Sequence, residues 1–276
     1  MLERIITALI LVAVVLTCMF ATTAIYPMLG LMTLATFGAG YEWYKLMPLK
    51  DGQPKNKTIA LIFGAVLAGI SAIALLYLSS IWIVLWGVSI LVWLMSISWV
   101  KRYPEYDGWY NGGLLYLGIL LIIAAITAIF ALWNISPWWL MYVFLLVWGA
   151  DSGAYFVGRK LGMRKLAPMV SPNKSIEGLI GGLITSCLII VAVVTLYLDV
   201  EPLAFVLFMV LSLITVIASV QGDLVESMIK RRAGIKDSGR ILPGHGGVLD
   251  RVDSLLSATP IFAAGMYCLK VLGFSI

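Results

Sequence analysis

The run LAFVLFMVLSLITVIASVQGDLV, Leu203 to Val225, decides what kind of protein this is. Its first 18 residues, Leu203 to Val220, carry no charge and cover about 27 Å as an α-helix, close to the roughly 30 Å hydrocarbon core of a bilayer. Apolar side chains fill the run continuously instead of alternating, which points to a spanning helix and away from a strand. The segment then reaches Asp223, so the helix delivers a carboxylate to one rim of the membrane.

Eight further segments share this character: Ile5 to Ala24, Tyr26 to Tyr44, Thr58 to Leu78, Ile81 to Val100, Asn111 to Leu132, Pro137 to Phe156, Ile176 to Leu198 and Ser254 to Leu272. The composition agrees: 276 residues are 62% hydrophobic and 12% charged with a mean hydropathy of +1.02, where a soluble domain has about a quarter of its residues charged. The expected fold class is all-α, a polytopic integral membrane protein of about nine transmembrane helices.

Orientation follows from the positive charge. With nine spans, 18 of the 19 Lys and Arg residues fall on one side: Arg4, the loop from Lys45 to Lys57, Lys101 and Arg102, the stretch from Arg159 to Lys174, and that from Lys230 to Arg251. Lys270 falls on the other side, where the loop after Leu198 is acidic through Asp199 and Glu201. The positive-inside bias therefore puts the N-terminus and the charged loops in the cytoplasm. A net charge of +5 reports this topology and gives no reason to expect nucleic acid as a partner. The first helix has a long apolar stretch without a small-residue cleavage site and is expected to be retained. Cys18, Cys187 and Cys268 lie inside spans without metal-ligand spacing and read as small packing residues. Trp133, Trp138 and Trp139 cluster near the outer interface and read as belt anchors. No linker or repeat divides the chain. It reads as a single integral membrane domain over 1–276, with an N-terminal helical scaffold over 1–132 and a catalytic half over 133–276.

The stretch SMIKRRAGIKDSGRILPGHGGVLDRVD, Ser227 to Asp253, holds nine of the 33 charged residues (19 basic plus 14 acidic), the single histidine and five glycines. Asp250 and Asp253 stand three apart at the start of the last helix and share a face, and Asp223 ends the preceding span at the same rim. Mg²⁺ takes one or two carboxylates plus substrate phosphates, which makes these aspartates candidate ligands. The same spacing equally serves a helix cap at Asp250 and a pairing of Asp253 with Arg251. Glu226 and Lys230 have ion-pair spacing, and Glu226 reads as structural. Lys230, Arg231, Arg232, Lys236 and Arg240 suit a triphosphate or anionic headgroups alike. In PGHGG, Gly246 and Gly247 permit close backbone approach to a phosphate, as they also permit a turn. His245 suits donation to a phosphate or the fixing of that turn.

Two upstream clusters face the same side. WGADSGAYFVGRKLG, Trp148 to Gly162, sets Asp151 about 21 Å along its helix from Pro137, short of a full crossing, where a polar cavity or a partner such as Arg159 is expected. SPNKSIEG, Ser171 to Gly178, offers Lys174 as a cation and Ser175 as a helix start supported by Glu177.

Together these segments resemble the phosphatidate cytidylyltransferase family, also called CDP-diacylglycerol synthases. The family pattern is met without a gap by Ser227, Lys230, Arg231, Lys236, Asp237, Gly239, Pro243, His245, Gly246, Gly247, Asp250, Arg251 and Asp253, and the likeness runs from Trp148 to Asp253. The resemblance implies transfer of a cytidylyl group from CTP to phosphatidic acid, giving CDP-diacylglycerol and pyrophosphate for phospholipid biosynthesis. It also implies Mg²⁺ dependence, a homodimer, and a multi-pass location in the bacterial inner membrane with the active site facing the cytoplasm. On this reading Asp223, Asp250 and Asp253 hold the metal and act in catalysis with Lys236 and Arg251. Asp151, Ser171, Lys174, Lys230, Arg231, His245, Gly246 and Gly247 contact substrate. The main rival is a membrane transporter of ions or lipids, which favours broken helices with charge at the midplane, whereas this chain gathers its charge at one rim. A CDP-alcohol phosphotransferase needs a longer series of spaced aspartates, and Asp253 is followed by Ser-Leu-Leu.

Overall fold

A computed structural model describes residues 2–21, 24–47, 56–105, 111–198 and 200–274. Its helices are α1 (Leu2–Phe20), α2 (Ile25–Leu46), α3 (Lys57–Tyr77), α4 (Trp82–Arg102), α5 (Asn111–Ile135), α6 (Pro137–Leu161), α7 (Ile176–Tyr197), α8 (Pro202–Arg232) and α9 (Leu249–Val271). Each apolar run read from the sequence lies on one of them. Among the described residues, seven helices are long and apolar enough to cross a membrane, namely α3 to α9, with α1 contributing a shorter apolar stretch over Ile5–Phe20. Lys50, Lys55 and Asp199, which the charge argument uses, lie outside the described residues, as does the side chain of Arg4.

The segment between α6 and α7 departs from the all-helical expectation. It forms a short antiparallel hairpin, β1 (Lys165–Ala167) with β2 (Ser171–Ser175), in which Lys165 faces Ser175 and Ala167 faces Ser171. The pairing is local and polar, outside every apolar run, so membrane-strand periodicity could not reveal it. Glu177 closes the hairpin onto the first turn of α7. Its carboxylate accepts from the amides of Met163 (3.0 Å) and Arg164 (3.1 Å) and from Arg164 Nε (2.8 Å). Ser175 caps α7 as its position suggests, its hydroxyl accepting from the Gly178 amide at 3.1 Å.

Helices α6 and α7 pack closely because glycines line the seam: a Cβ on Gly182 would stand 2.8 Å from the Ala150 carbonyl and one on Gly178 2.9 Å from that of Ala154. Helix α9 is the hub, touching α2, α4, α5, α6 and α8. Its buried face carries Ser254, Ser257, Ala258, Thr259, Ala263 and Ala264, small residues that allow neighbours near, and Ser257 donates to the Ala218 carbonyl of α8 at 2.7 Å. Trp43 of α2 is buried and donates to the Leu114 carbonyl of α5 at 2.9 Å, so α2 is locked to the bundle.

The tryptophan expectation holds for Trp138, which is exposed. Trp133 is instead buried, donating to the Met19 carbonyl at 3.1 Å, and Trp139 joins an inner aromatic group with Tyr142, Phe208 and Phe262. Each indole finds packing partners inward, which position alone does not disclose. Cys18, Cys187 and Cys268 are free.

Candidate active site

Helix α8 runs 31 residues, about 46 Å, and outlasts its apolar stretch. Its last turns carry Asp223, Glu226, Lys230 and Arg231 alongside the first turns of α9, which carry Asp250 and Asp253. Residues 233–248 connect the two as a glycine-punctuated loop, and the hairpin brings Lys174 to the same end.

Asp250 organises the loop. One oxygen accepts from Lys230 Nζ at 2.7 Å; the other accepts from the amides of Gly247 (2.8 Å) and Ser238 (2.9 Å). Asp250 thus reaches back over the loop instead of capping α9. The backbone donor of Gly247, expected to be open to a phosphate, is already engaged. Gly246 has φ +81°, a left-handed conformation that favours glycine, and a Cβ there would stand 2.6 Å from the Asp250 carboxylate. Lys230 also pairs with the buried Glu226, as their spacing foretold.

A second lysine-centred group stands beside the first. Lys174 Nζ meets Asp223 at 2.6 Å, and Asp223 also accepts from the Ser227 hydroxyl at 3.1 Å. Asp151 lies within Coulombic reach of Lys174 and Asp223, while Asp253 feels Asp223, Lys174 and Lys230. The partner expected for Asp151 was Arg159, which instead donates to Tyr155 at 3.1 Å. Asp253 accepts from the Ser254 amide at 2.7 Å.

Among the described residues no group of three acidic, His or Cys side chains is close enough to hold a metal by itself. The three aspartates are therefore not one cage: both Asp250 oxygens are committed to Lys230 and the loop amides. The chemistry of the remaining set nevertheless fits a divalent cation. Asp151, Asp223, Glu226, Asp250, Asp253 and Glu42 form a group of six acidic side chains connected by ion pairs and Coulombic reach, with Lys174 and Lys230 among them. Asp223, which Lys174 and Ser227 hold in place, and Asp253, within Coulombic reach of it, are the carboxylates that could hold an ion taking its other ligands from phosphate and water.

The loop borders a half-open cavity of about 620 Å³ lined by Asp237, Arg240, Pro243, His245, Gly246 and Arg251, among others. It adjoins Asp250 through Gly246. His245 lines the cavity and holds its turn through backbone and ring, its amide donating to the Leu242 carbonyl at 2.9 Å and its Nδ1 lying 3.5 Å from the Pro243 carbonyl. Arg231 donates to the Val170 carbonyl of the hairpin at 3.3 Å, which ties the two loops together. Lys236 is exposed and Ser171 half-buried on β2, neither lining the cavity.

Arg240, one of the basic residues that suit a triphosphate or anionic headgroups, walls the cavity. One residue escapes the sequence reading. Glu42, on α2, is fully buried, and one oxygen accepts from the Ser238 hydroxyl (3.0 Å) and the Leu249 amide (2.9 Å). An acid inside an apolar run was the available signal.

Residues 2–269 match the model of the cytidylyltransferase family. The chain is 37% identical to a phosphatidate cytidylyltransferase of Haemophilus influenzae, over 95% of this chain and 96% of that one. It is 38% identical to a phosphatidate cytidylyltransferase of Pseudomonas aeruginosa, over 95% of each chain. A phosphatidate cytidylyltransferase of Bacillus subtilis shares 43% identity over 46% of this chain and 48% of its own.

Proposed function

Since the chain belongs to the cytidylyltransferase family, we propose that it transfers the cytidylyl group of CTP to phosphatidic acid, forming CDP-diacylglycerol and pyrophosphate. A phosphate oxygen of the lipid attacks the α-phosphorus of CTP in line. A new P–O bond forms, the bond to the oxygen bridging to the β-phosphate breaks, and pyrophosphate leaves with that electron pair. The nucleophile is already anionic, so the protein's task is positioning and charge neutralisation, with no strong base required. The observation that carries this reading is the cavity walled by Arg240, Arg251 and His245 directly beside the acid and lysine groups at the ends of α8 and α9. Arg240 and Arg251 draw the triphosphate into the cavity, and Lys174 and Lys230 counter charge nearer the carboxylates. Asp223 and Asp253 would hold Mg²⁺, which when bound neutralises phosphate charge. Asp250 keeps the loop closed around Lys230. The bilayer supplies the lipid sideways between helices.

The transporter reading gains no support, since the charges gather at the helix ends beside a closed loop. The positive-inside bias favours the inner membrane with this end in the cytoplasm. A homodimer remains part of the proposal by family likeness alone. The test is incubation of purified protein with CTP labelled in the cytosine ring, phosphatidate and Mg²⁺. Label should move into the organic phase, and omission of phosphatidate should prevent it. Label that stays aqueous with both substrates present overturns the reading, and full activity in excess chelator removes the metal from it.

A further inference from the structure

We propose that Glu42, in the N-terminal half, is a positioning residue for the nucleotide loop, setting the stretch from Ser238 to Leu249 from beneath. The inference deepens the cytidylyl-transfer reading and rests on it. Its basis is the fit between one face of α2 and that loop. Glu42 Oε2 accepts from the Ser238 hydroxyl at 3.0 Å and from the Leu249 amide at 2.9 Å, which is the first turn of α9. Ser238 is also the residue whose amide donates to Asp250, so Glu42 and Asp250 grip one residue from opposite sides. One turn earlier on the same face, Gly38 makes room for Val248: a Cβ there would stand 2.7 Å from a Val248 methyl.

Two loop glycines complete the socket. A Cβ on Gly239 would overlap the Glu42 carboxylate, whose atoms are its three nearest neighbours, and one on Gly247 would overlap both Glu42 and the Ser238 hydroxyl. Neither glycine has positive φ, so the obstacle to a side chain is not the backbone conformation: it is Glu42 at Gly239, and Glu42 together with Ser238 at Gly247. The helix beneath is fixed, because Trp43 donates to the Leu114 carbonyl and fills the space that a Cβ on Gly118 would need. Glu42 is fully buried and its Oε1 has no hydrogen-bond partner. A carboxylate kept in such a site at a formal disadvantage, beside the acid group of the active centre, is explained by what it holds in place.

This makes a prediction that ordinary packing does not. In the otherwise unchanged enzyme, Gly239→Ala should lower kcat/KM for CTP by about tenfold or more, because a wall of the cavity is pushed off the Glu42 carboxylate. In a Glu42→Ala background, itself impaired by about tenfold through loss of the acceptor, the same Gly239→Ala change should have less than about a twofold effect, since the obstructing group is gone. Glu42→Gln, which keeps an acceptor of the same shape, should recover most of the loss, and in all variants the phosphatidate KM should stay within about twofold of the parent. Hydrogen exchange of the peptide covering residues 238–249 should quicken in Glu42→Ala and remain protected in Glu42→Gln. Multiplicative losses for Gly239→Ala and Glu42→Ala, or unchanged exchange in Glu42→Ala, overturn the positioning role even with a fully active parent. An inactive parent overturns the cytidylyl-transfer reading instead, and the exchange experiment still decides the role of Glu42. Should Glu42→Ala fail to insert, Glu42→Gln alone with Gly239→Ala decides: the overlap persists there, so rescue of Gly239→Ala by Gln contradicts the proposal.

Discussion

At the residue scale, the three aspartates that look alike in the sequence divide by their partners. Asp250 is saturated by Lys230 and two loop amides, whereas Asp223 and Asp253 lean on Lys174 and a single neighbouring hydroxyl or amide. Asp250→Asn removes the charge that answers Lys230 and one of the acceptors, so turnover should fall by about 100-fold or more while the protein still inserts and elutes as a single species. Near-normal turnover of the purified variant would sink that role. The cavity wall gives a second contrast. Arg240→Ala should raise the CTP KM by about tenfold with the phosphatidate KM unchanged, and Lys236→Ala, exposed and outside the lining, should raise it by less. A larger effect at Lys236 would relocate the triphosphate. Sequence spacing revealed the Glu226–Lys230 pair and the Ser175 cap because both lie within four residues. It could not sort the aspartates, since the partners that distinguish Asp250 and Asp223 stand far along the chain, Ser238 12 positions from Asp250 and Lys174 49 positions from Asp223.

At the scale of elements, hydropathy was enough to find every long helix, and it was blind to the hairpin, whose strands have three and five residues. That hairpin matters more than its size suggests. It carries Lys174 on its second strand, is pinned to α7 by Glu177, and receives Arg231 from α8. The cap at its end should be measurable: Ser175→Ala should destabilise the protein by about 1 kcal/mol and lower its unfolding temperature in detergent by about 2–4 °C. Gly153→Val should be worse, since a Cβ there would overlap the Thr185 hydroxyl and stand 2.8 Å from the Gly181 carbonyl, forcing α6 from α7. An unfolding temperature for Gly153→Val equal to that of the parent would mean that the seam is looser than described.

At the scale of the whole molecule, support for the active loop comes from the N-terminal half of the chain as well as from the C-terminal half. Composition put the two long polar loops after residue 148, yet α2 lies under the active loop, and helix α9 contacts helices of both halves. Topology is open to a direct check. In a cysteine-free variant of intact cells, an impermeant maleimide should label Lys270→Cys and leave Lys165→Cys unlabelled until the cells are opened, and the reverse pattern would invert the molecule. The grip of Glu42 has one more consequence. Its partners Ser238 and Leu249 are 196 and 207 positions further along the chain. A ribosome therefore makes α2 long before the groups that will satisfy this carboxylate have been translated. Until the final hydrophobic segment is delivered, the nascent enzyme holds a bare acid and no assembled centre, so a product cut short anywhere upstream is inert by construction.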